Sequence, residues 1–247
     1  QYLLDNCGIQ SRLKQAEHDF SMTDALYDYL QKKPVVGIMG GHVLKRDSKT
    51  YEQVVRIAQK LASLGFVVIS GGGPGAMEAA NLGAYLGNKS DSDIDIALNI
   101  IKTPSADYDP ELPQYTDVAA ARRVVEKFGK PGNMASIGVP TWKYGNEPSN
   151  VFASFHAKFF SNALREDILI QSSNCGILYA AGSAGTRQEM FQDSCRNHYA
   201  EMDGYESCPM IFLDSQYWKT NGFFDIMQNI SQGKPYGNLL KLHDKTV

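Results

Sequence analysis

The chain has 247 residues, enough for a sizeable core in one large domain or two small ones. With 43% hydrophobic residues and a net charge of −3, it is not a mainly disordered chain. Its 24 basic and 27 acidic residues argue against a global positive field of the kind that holds a nucleic-acid polymer.

Residues 1–33 are polar and mixed, and read as a helical lead-in centred on 19–31. At Pro34 the pattern changes. Val35-Val36-Gly37-Ile38-Met39-Gly40-Gly41 is an apolar run ending in glycines, which predicts a buried strand and a turn. Apolar residues at helical spacing follow over 49–64, with Gly65 as the stop signal. Phe66-Val67-Val68-Ile69 predicts a second strand, closed by Gly71-Gly72-Gly73-Pro74-Gly75, and a helix is expected over about 76–86. Residues 88–133 read as an insertion, with helical stretches near 93–101 and 116–128 around a loop holding Pro104, Pro110 and Pro113. Strand character returns at 134–139. Phe152, Phe155, Phe159, Leu164 and Ile168 predict one long helix over 150–171. A strand at 176–179, a helix at 185–202, a strand at 210–213, a helix at 223–230 and an edge strand at 239–242 complete the chain.

Alternating strands and helices of this kind predict an α/β fold: a Rossmann-like, doubly wound parallel sheet with helices on both faces. Residues 34–247 are taken as one nucleotide-binding domain. The strands are continuous apolar runs, as burial on both faces requires. Ligands in such sheets bind at the carboxyl ends of the strands, so the turns after them carry the functional reading.

The turn Gly71–Ala76 lets backbone N–H groups approach an anion at a helix N-terminus; the alternative is a tight strand-to-helix turn. Its Gly71-x-Gly73-x-x-Ala76 spacing also matches a relaxed dinucleotide fingerprint. A second turn, Ala180-Ala181-Gly182-Ser183-Ala184-Gly185-Thr186, adds two hydroxyls and leads to Glu189 one turn into the next helix. Glu189 is open to two readings: a capping-box partner of Thr186, or a carboxylate facing a ligand. Arg165-Glu166-Asp167 reads by periodicity as a solvated charged face. Gly40 and Gly41, with His42, Lys45 and Arg46, form either a third side of an anion pocket or an exposed basic loop. Asp91, Asp93 and Asp95 have calcium-loop spacing, but Ile96 and Lys102 stand where that loop needs glycine and glutamate.

Four cysteines at 7, 175, 195 and 208 form no C-x-x-C pair, and Cys175 is expected in a core strand. A reducing cytoplasm is the natural reading, without a disulfide framework. The five histidines show no metal-binding spacing, and no metal or other cofactor is expected. No apolar run approaches the roughly 18 residues of a membrane helix, and no secretory signal stands at the start. A first residue of Gln1 rather than Met reads as a trimmed chain or a fragment.

Gly71-Gly72-Gly73-Pro74-Gly75-Ala76-Met77 resembles the glycine-rich first motif of the LOG ("lonely guy") proteins, Rossmann-like nucleotide hydrolases often mislabelled lysine decarboxylases. Gly182-Ser183-Ala184-Gly185-Thr186-Arg187-Gln188-Glu189 resembles their second motif, P-G-G-x-G-T-x-x-E, and Arg165 stands about where they carry a functional arginine. Ala180-Ala181 replaces the proline-glycine opening, one extra residue precedes Thr186, and Gln188 replaces the first acid of the common G-T-x-E-E. The resemblance implies hydrolysis of the N-glycosidic bond of a nucleoside 5′-monophosphate. Arg165 and Glu189 are then catalytic, and Gly71–Gly75 and Gly182–Thr186 bind phosphate and ribose. It also implies, together with the aromatic residues of 150–171, a homodimer or a higher even oligomer. The competing expectations are a nucleotide sensor or carrier without turnover and, on the dinucleotide spacing alone, a nicotinamide-dependent oxidoreductase.

Overall fold

The computed structural model describes residues 8–106, 117–132, 136–143 and 149–244. Cys7, Pro110, Pro113 and Met134 lie outside them. Seven parallel strands form one sheet in the order β4-β3-β2-β1-β5-β6-β7. They are β1 (Val35–Met39), β2 (Val67–Ser70), β3 (Ser136–Gly138), β4 (Phe155–His156), β5 (Ile177–Tyr179), β6 (Met210–Leu213) and β7 (Leu240–His243). The central strands are buried along their whole length, which is why their residues are apolar without alternation.

Helices cover both faces. One face holds α2 (Lys49–Ser63), α3 (Ala76–Tyr85), α4 (Asp91–Lys102) and α5 (Val118–Phe128). The other holds α1 (Ile9–Leu30), α6 (Asn162–Ser172), α7 (Ala184–Tyr199), α8 (Ser215–Thr220) and α9 (Phe223–Ser231). Each face has its own apolar core. Val54, Ala58, Leu82, Leu98 and Val124 belong to the first, so α4 and α5 pack with α2 and α3. Leu26 and Leu30 of α1 join Ile168, Met190, Trp218 and Met227 in the second. Among the described residues no helix is long and apolar enough to cross a membrane.

The chain runs outward from β1 through β2 and β3 to β4, then returns to the far side of β1 as β5. That reversal sets the switch point between β1 and β5, where a doubly wound sheet opens its ligand crevice.

The long helix expected over 150–171 does not form. Its first half is the edge strand β4, carried on a parallel ladder from Ser154 N–H to Ser136 O, Ala157 N–H to Gly138 O and Phe159 N–H to Pro140 O. Phe152 and Phe159 are fully buried while Phe155 is exposed. The three- and four-residue aromatic spacing therefore arises from an irregular edge segment. The helix start is Ser161, whose hydroxyl accepts from Leu164 N–H at 3.3 Å. Asp19 of α1 fixes that start from outside, accepting from Phe160 N–H and Ser161 N–H at 2.9 and 2.7 Å. The apolar surface assigned to that helix is thus no ground for an oligomer. Cys175 precedes β5 rather than lying within it, and is only partly buried.

Candidate functional site

The turns after β1, β2 and β5 converge, because β1 lies between the other two. Gly41 links both neighbours: its N–H donates to Ala181 O at 3.0 Å, and its carbonyl accepts from Ala76 N–H at 3.1 Å. These approaches leave no room for side chains. A Cβ on Gly40 would meet the Ala76 methyl group at 2.6 Å and that of Ala180 at 3.0 Å. Gly75 has φ +68°, and a Cβ there would collide with the Gly41 carbonyl. A Cβ on Gly182 would collide with the Thr186 hydroxyl.

The first glycine turn is held from behind by a buried polar network. Ser70 Oγ donates to Asn81 Oδ1 at 2.7 Å and accepts from Gly72 N–H at 3.1 Å. Asn150 donates its backbone N–H to Gly72 O at 2.9 Å, and its side-chain amide to Gly73 O and Asn81 Oδ1 at 3.2 and 2.9 Å. Asn81 in turn donates to Ser136 Oγ and Ile137 O. Four polar residues separated by up to 80 positions freeze one turn, so their shared role is invisible in local sequence patterns. On the second turn, Tyr217 of α8 donates its hydroxyl to Gly182 O at 2.6 Å, another partner that sequence spacing does not signal.

Arg165 is buried among these turns and is not on a solvated face. Its Nε donates to Val139 O at 2.8 Å, and one terminal nitrogen, Nη2, to Gly71 O at 3.4 Å. The other, Nη1, lies 3.6 Å from Glu189 Oε1. Glu189 is likewise buried, and burial pushes its carboxyl up to about 7; Arg165 opposes that shift and Glu166 adds to it. The capping-box reading of Glu189 fails, because Ser183, and not Thr186, is the N-cap of α7, and the carboxylate is turned to Arg165.

Glu166 is also buried, and its carboxylate accepts from the side-chain amides of Asn162, at 2.7 Å, and Gln188. Asp167 accepts from Gln192 at 2.9 Å. Three successive residues of α6 thus meet three polar side chains of α7.

The other expected residues divide. Gly40, Gly41, Gly71, Gly72, Gly73 and Gly75 line the convergence and, apart from partly buried Gly40, are buried; Thr186 is buried, and Ser183, Ala184 and Gly185 are exposed at the start of α7. Arg46 does not face that space. It makes a two-bond pair with Glu78 at 2.8 and 2.6 Å and donates to Asp117 O at 3.0 Å, while His42 and Lys45 are exposed. The basic loop is therefore not an anion grip at Arg46. A small surface cleft is lined by Pro74, Glu78, Val118, Ala121 and Ser149–Val151. Neither Arg165 nor Glu189 lines it.

Residues 33–91, which include β1, β2 and the first glycine turn, match the SLOG cluster4 family. Over that segment the chain is LOG-like. A likeness of fold alone extends further. The molybdenum cofactor binding protein from the phototrophic bacterium Rippkaea orientalis is 15% identical, with 87% of this chain and 92% of that chain covered and a TM-score of 0.51. The Moco carrier protein from Chlamydomonas reinhardtii is 15% identical, with 87% and 91% covered and a TM-score of 0.46. No curated protein matches the chain.

Proposed function

We propose that the convergence of the three turns binds a nucleoside 5′-monophosphate and that Glu189 serves hydrolysis of its N-glycosidic bond. The single observation that carries this reading is the buried Arg165–Glu189 pair, whose arginine holds the Gly71 carbonyl of the first glycine turn and whose glutamate stands on α7, the helix that follows the second.

Peptide geometry supports phosphate binding. All peptide bonds of the described residues are trans, so each N–H points opposite the preceding carbonyl. Gly72 O is tied back to Asn150, which aims Gly73 N–H the other way. Ala181 O and Gly182 O are taken by Gly41 and Tyr217, which aims the N–H groups of Gly182 and Ser183 the other way. Donors so aimed, at the start of α7, suit an anion.

Cleavage breaks the bond between the anomeric carbon and the base nitrogen, leaving the electron pair on the base. The sugar gains positive charge, which the Glu189 carboxylate stabilises in a site shielded from water. Water adds to the anomeric carbon and loses a proton. A carboxyl that titrates near 7 is suited to receive that proton and pass it to the leaving base. Free base and ribose 5-phosphate result. Arg165 fixes the Glu189 carboxylate, Gly71 and the end of β3 in one geometry, so binding energy at the phosphate is converted to alignment.

A second reading, binding without turnover, rests on one observation: Arg165 and Glu189 are almost wholly enclosed and paired with each other, with Arg165 further held by two backbone carbonyls. Incubation with nucleoside 5′-monophosphates, with free base read by chromatography, separates the two. The nicotinamide reading loses its ground, because the Gly71-x-Gly73-x-x-Ala76 turn follows β2, whereas the dinucleotide fingerprint belongs to the first strand-to-helix turn.

A further inference from the structure

We infer that Asp193, held by Tyr179 and Arg196, is a positioning residue for Glu189: it fixes the rotation of α7 that turns Glu189 to Arg165. The inference rests on the role proposed for Glu189. It adds residues beyond the reach of the second motif, which ends at Glu189.

The sequence of α7 shows why its rotation needs such a device. A helix packed on a sheet is ordinarily oriented by an apolar stripe. Of the seven buried residues of α7 only Met190 is apolar, and Glu189, Asp193 and Arg196 are charged types. The first turn adds no anchor, because the N-cap Ser183 makes no side-chain cap bond. Directional bonds therefore decide which way Glu189 faces.

Asp193 stands four residues after Glu189, on the same face of the helix. It is fully buried, and both carboxylate oxygens are held. Tyr179, the last residue of β5, donates its hydroxyl to Oδ2 at 2.8 Å. Arg196 Nη2 lies 2.8 Å from Oδ1, and Arg196 Nη1 donates to Ile170 O and, at 3.2 Å, to Ser173 O. Those carbonyls end α6, the helix that carries Arg165. Asp193 thus ties the helix of Glu189 to the sheet directly, and to the helix of Arg165 through Arg196. Asn197, four residues further on, accepts from Cys208 N–H at 2.7 Å and fixes the same face ahead of β6.

A buried ion pair adds little net stability over apolar residues of similar volume. What this one supplies is direction. Rotating α7 by about 20° moves a carboxylate about 5 Å from the helix axis by roughly 2 Å. That opens the 3.6 Å contact between Arg165 and Glu189. A displacement of about 1 Å at a reacting group costs on the order of a hundredfold in rate.

The test uses the full chain labelled with carbon-13 at its glutamate carboxyls. The Glu189 signal is the one absent from Glu189→Gln, and its titration midpoint reports its neighbours, since Arg165 lowers it and Glu166 raises it. Tyr179→Phe removes one tether and no charge. We expect the folded variant to show the midpoint raised by about half a pH unit or more as Glu189 drifts from Arg165, and turnover in base release reduced about tenfold or more with KM within about twofold. Asp193→Asn keeps an oxygen for Arg196 and an amide for the Tyr179 oxygen, so the midpoint should not rise and turnover should stay within about threefold. A parent-like midpoint in Tyr179→Phe, or the same rise in Asp193→Asn, overturns the inference. A parent chain that releases no base ends the hydrolytic reading alone, and the two midpoints still decide this one.

Discussion

Gln188 donates its side-chain amide to the Glu166 carboxylate, and the two flank the Arg165–Glu189 pair on consecutive positions of the same two helices. This contact gives a physical reason for the departure from a second acidic residue at that position. A glutamate at 188, on the exposed side of α7, would set a second carboxylate against buried Glu166, and Glu189, already raised by Glu166, would be raised further. Gln188→Glu should therefore destabilise the protein at pH 8 by about 1 kcal/mol, the scale of one lost hydrogen bond to a charged group, with the repulsion screened on the exposed side. The penalty should fade below pH 5, where one of the two carboxyls is protonated. Urea unfolding at both pH values checks this.

Glu189 links stability to pH in the same direction. Its folded-state value of about 7 lies above the ordinary 4.5, so between those limits the folded protein holds a proton that the unfolded chain has released. Its contribution is fully favourable below about 4.5 and falls as pH rises through 7, by on the order of 3 kcal/mol. Asp193, raised by burial to about 6, adds a change of the same sign at lower pH. Glu189→Gln resembles the neutral form. It should flatten the fall and be more stable than the parent chain at pH 8, as melting curves from pH 5 to 8 would report.

Gly71 is the tightest coupling between loop and arginine. A Cβ there would collide with Arg165 Nη2 and with the Met77 sulfur. Gly71→Ala should push the guanidinium off the Gly71 and Val139 carbonyls and weaken nucleotide binding at least tenfold by titration calorimetry. Gly185→Ala, where a Cβ has open space, should leave affinity within about twofold.

Strands β1, β2 and β3 were legible in the sequence because they are short apolar runs closed by glycine or proline, and β5 and β6 because they are apolar runs; that signal is local, and β4, which lacks it, was read as helix. The two glycine turns were legible for the same reason. Arg165 was not legible from periodicity: a charged triplet on a helix reads as solvated, and its burial depends on carbonyls at Gly71 and Val139 and a carboxylate at Glu189. Ser161 as the true start of α6 was masked by the aromatic spacing before it, since an edge strand and a helix can share such spacing. Tyr217, Asn81 and Asn150 carry no motif at all; they act on turns far away in the chain.

Tyr217 offers a test of loop support apart from chemistry. Tyr217→Phe removes one hydrogen bond to Gly182 O, worth about 1 kcal/mol in stability. It should raise KM for the nucleotide several-fold while changing kcat less, because the phosphate-facing peptides loosen and Glu189 stays in place. Equal KM in both proteins would remove Tyr217 from the support of that turn.

Base release is the most direct measurement. The parent chain and Glu189→Gln are incubated with a panel of nucleoside 5′-monophosphates and the matching unphosphorylated nucleosides, and free base and ribose 5-phosphate are quantified by chromatography. Release is expected from at least one monophosphate, with much slower release from its nucleoside and a loss of about two to three orders of magnitude in turnover for Glu189→Gln. Stoichiometric binding with no base released from any monophosphate, or undiminished turnover in Glu189→Gln, would contradict it.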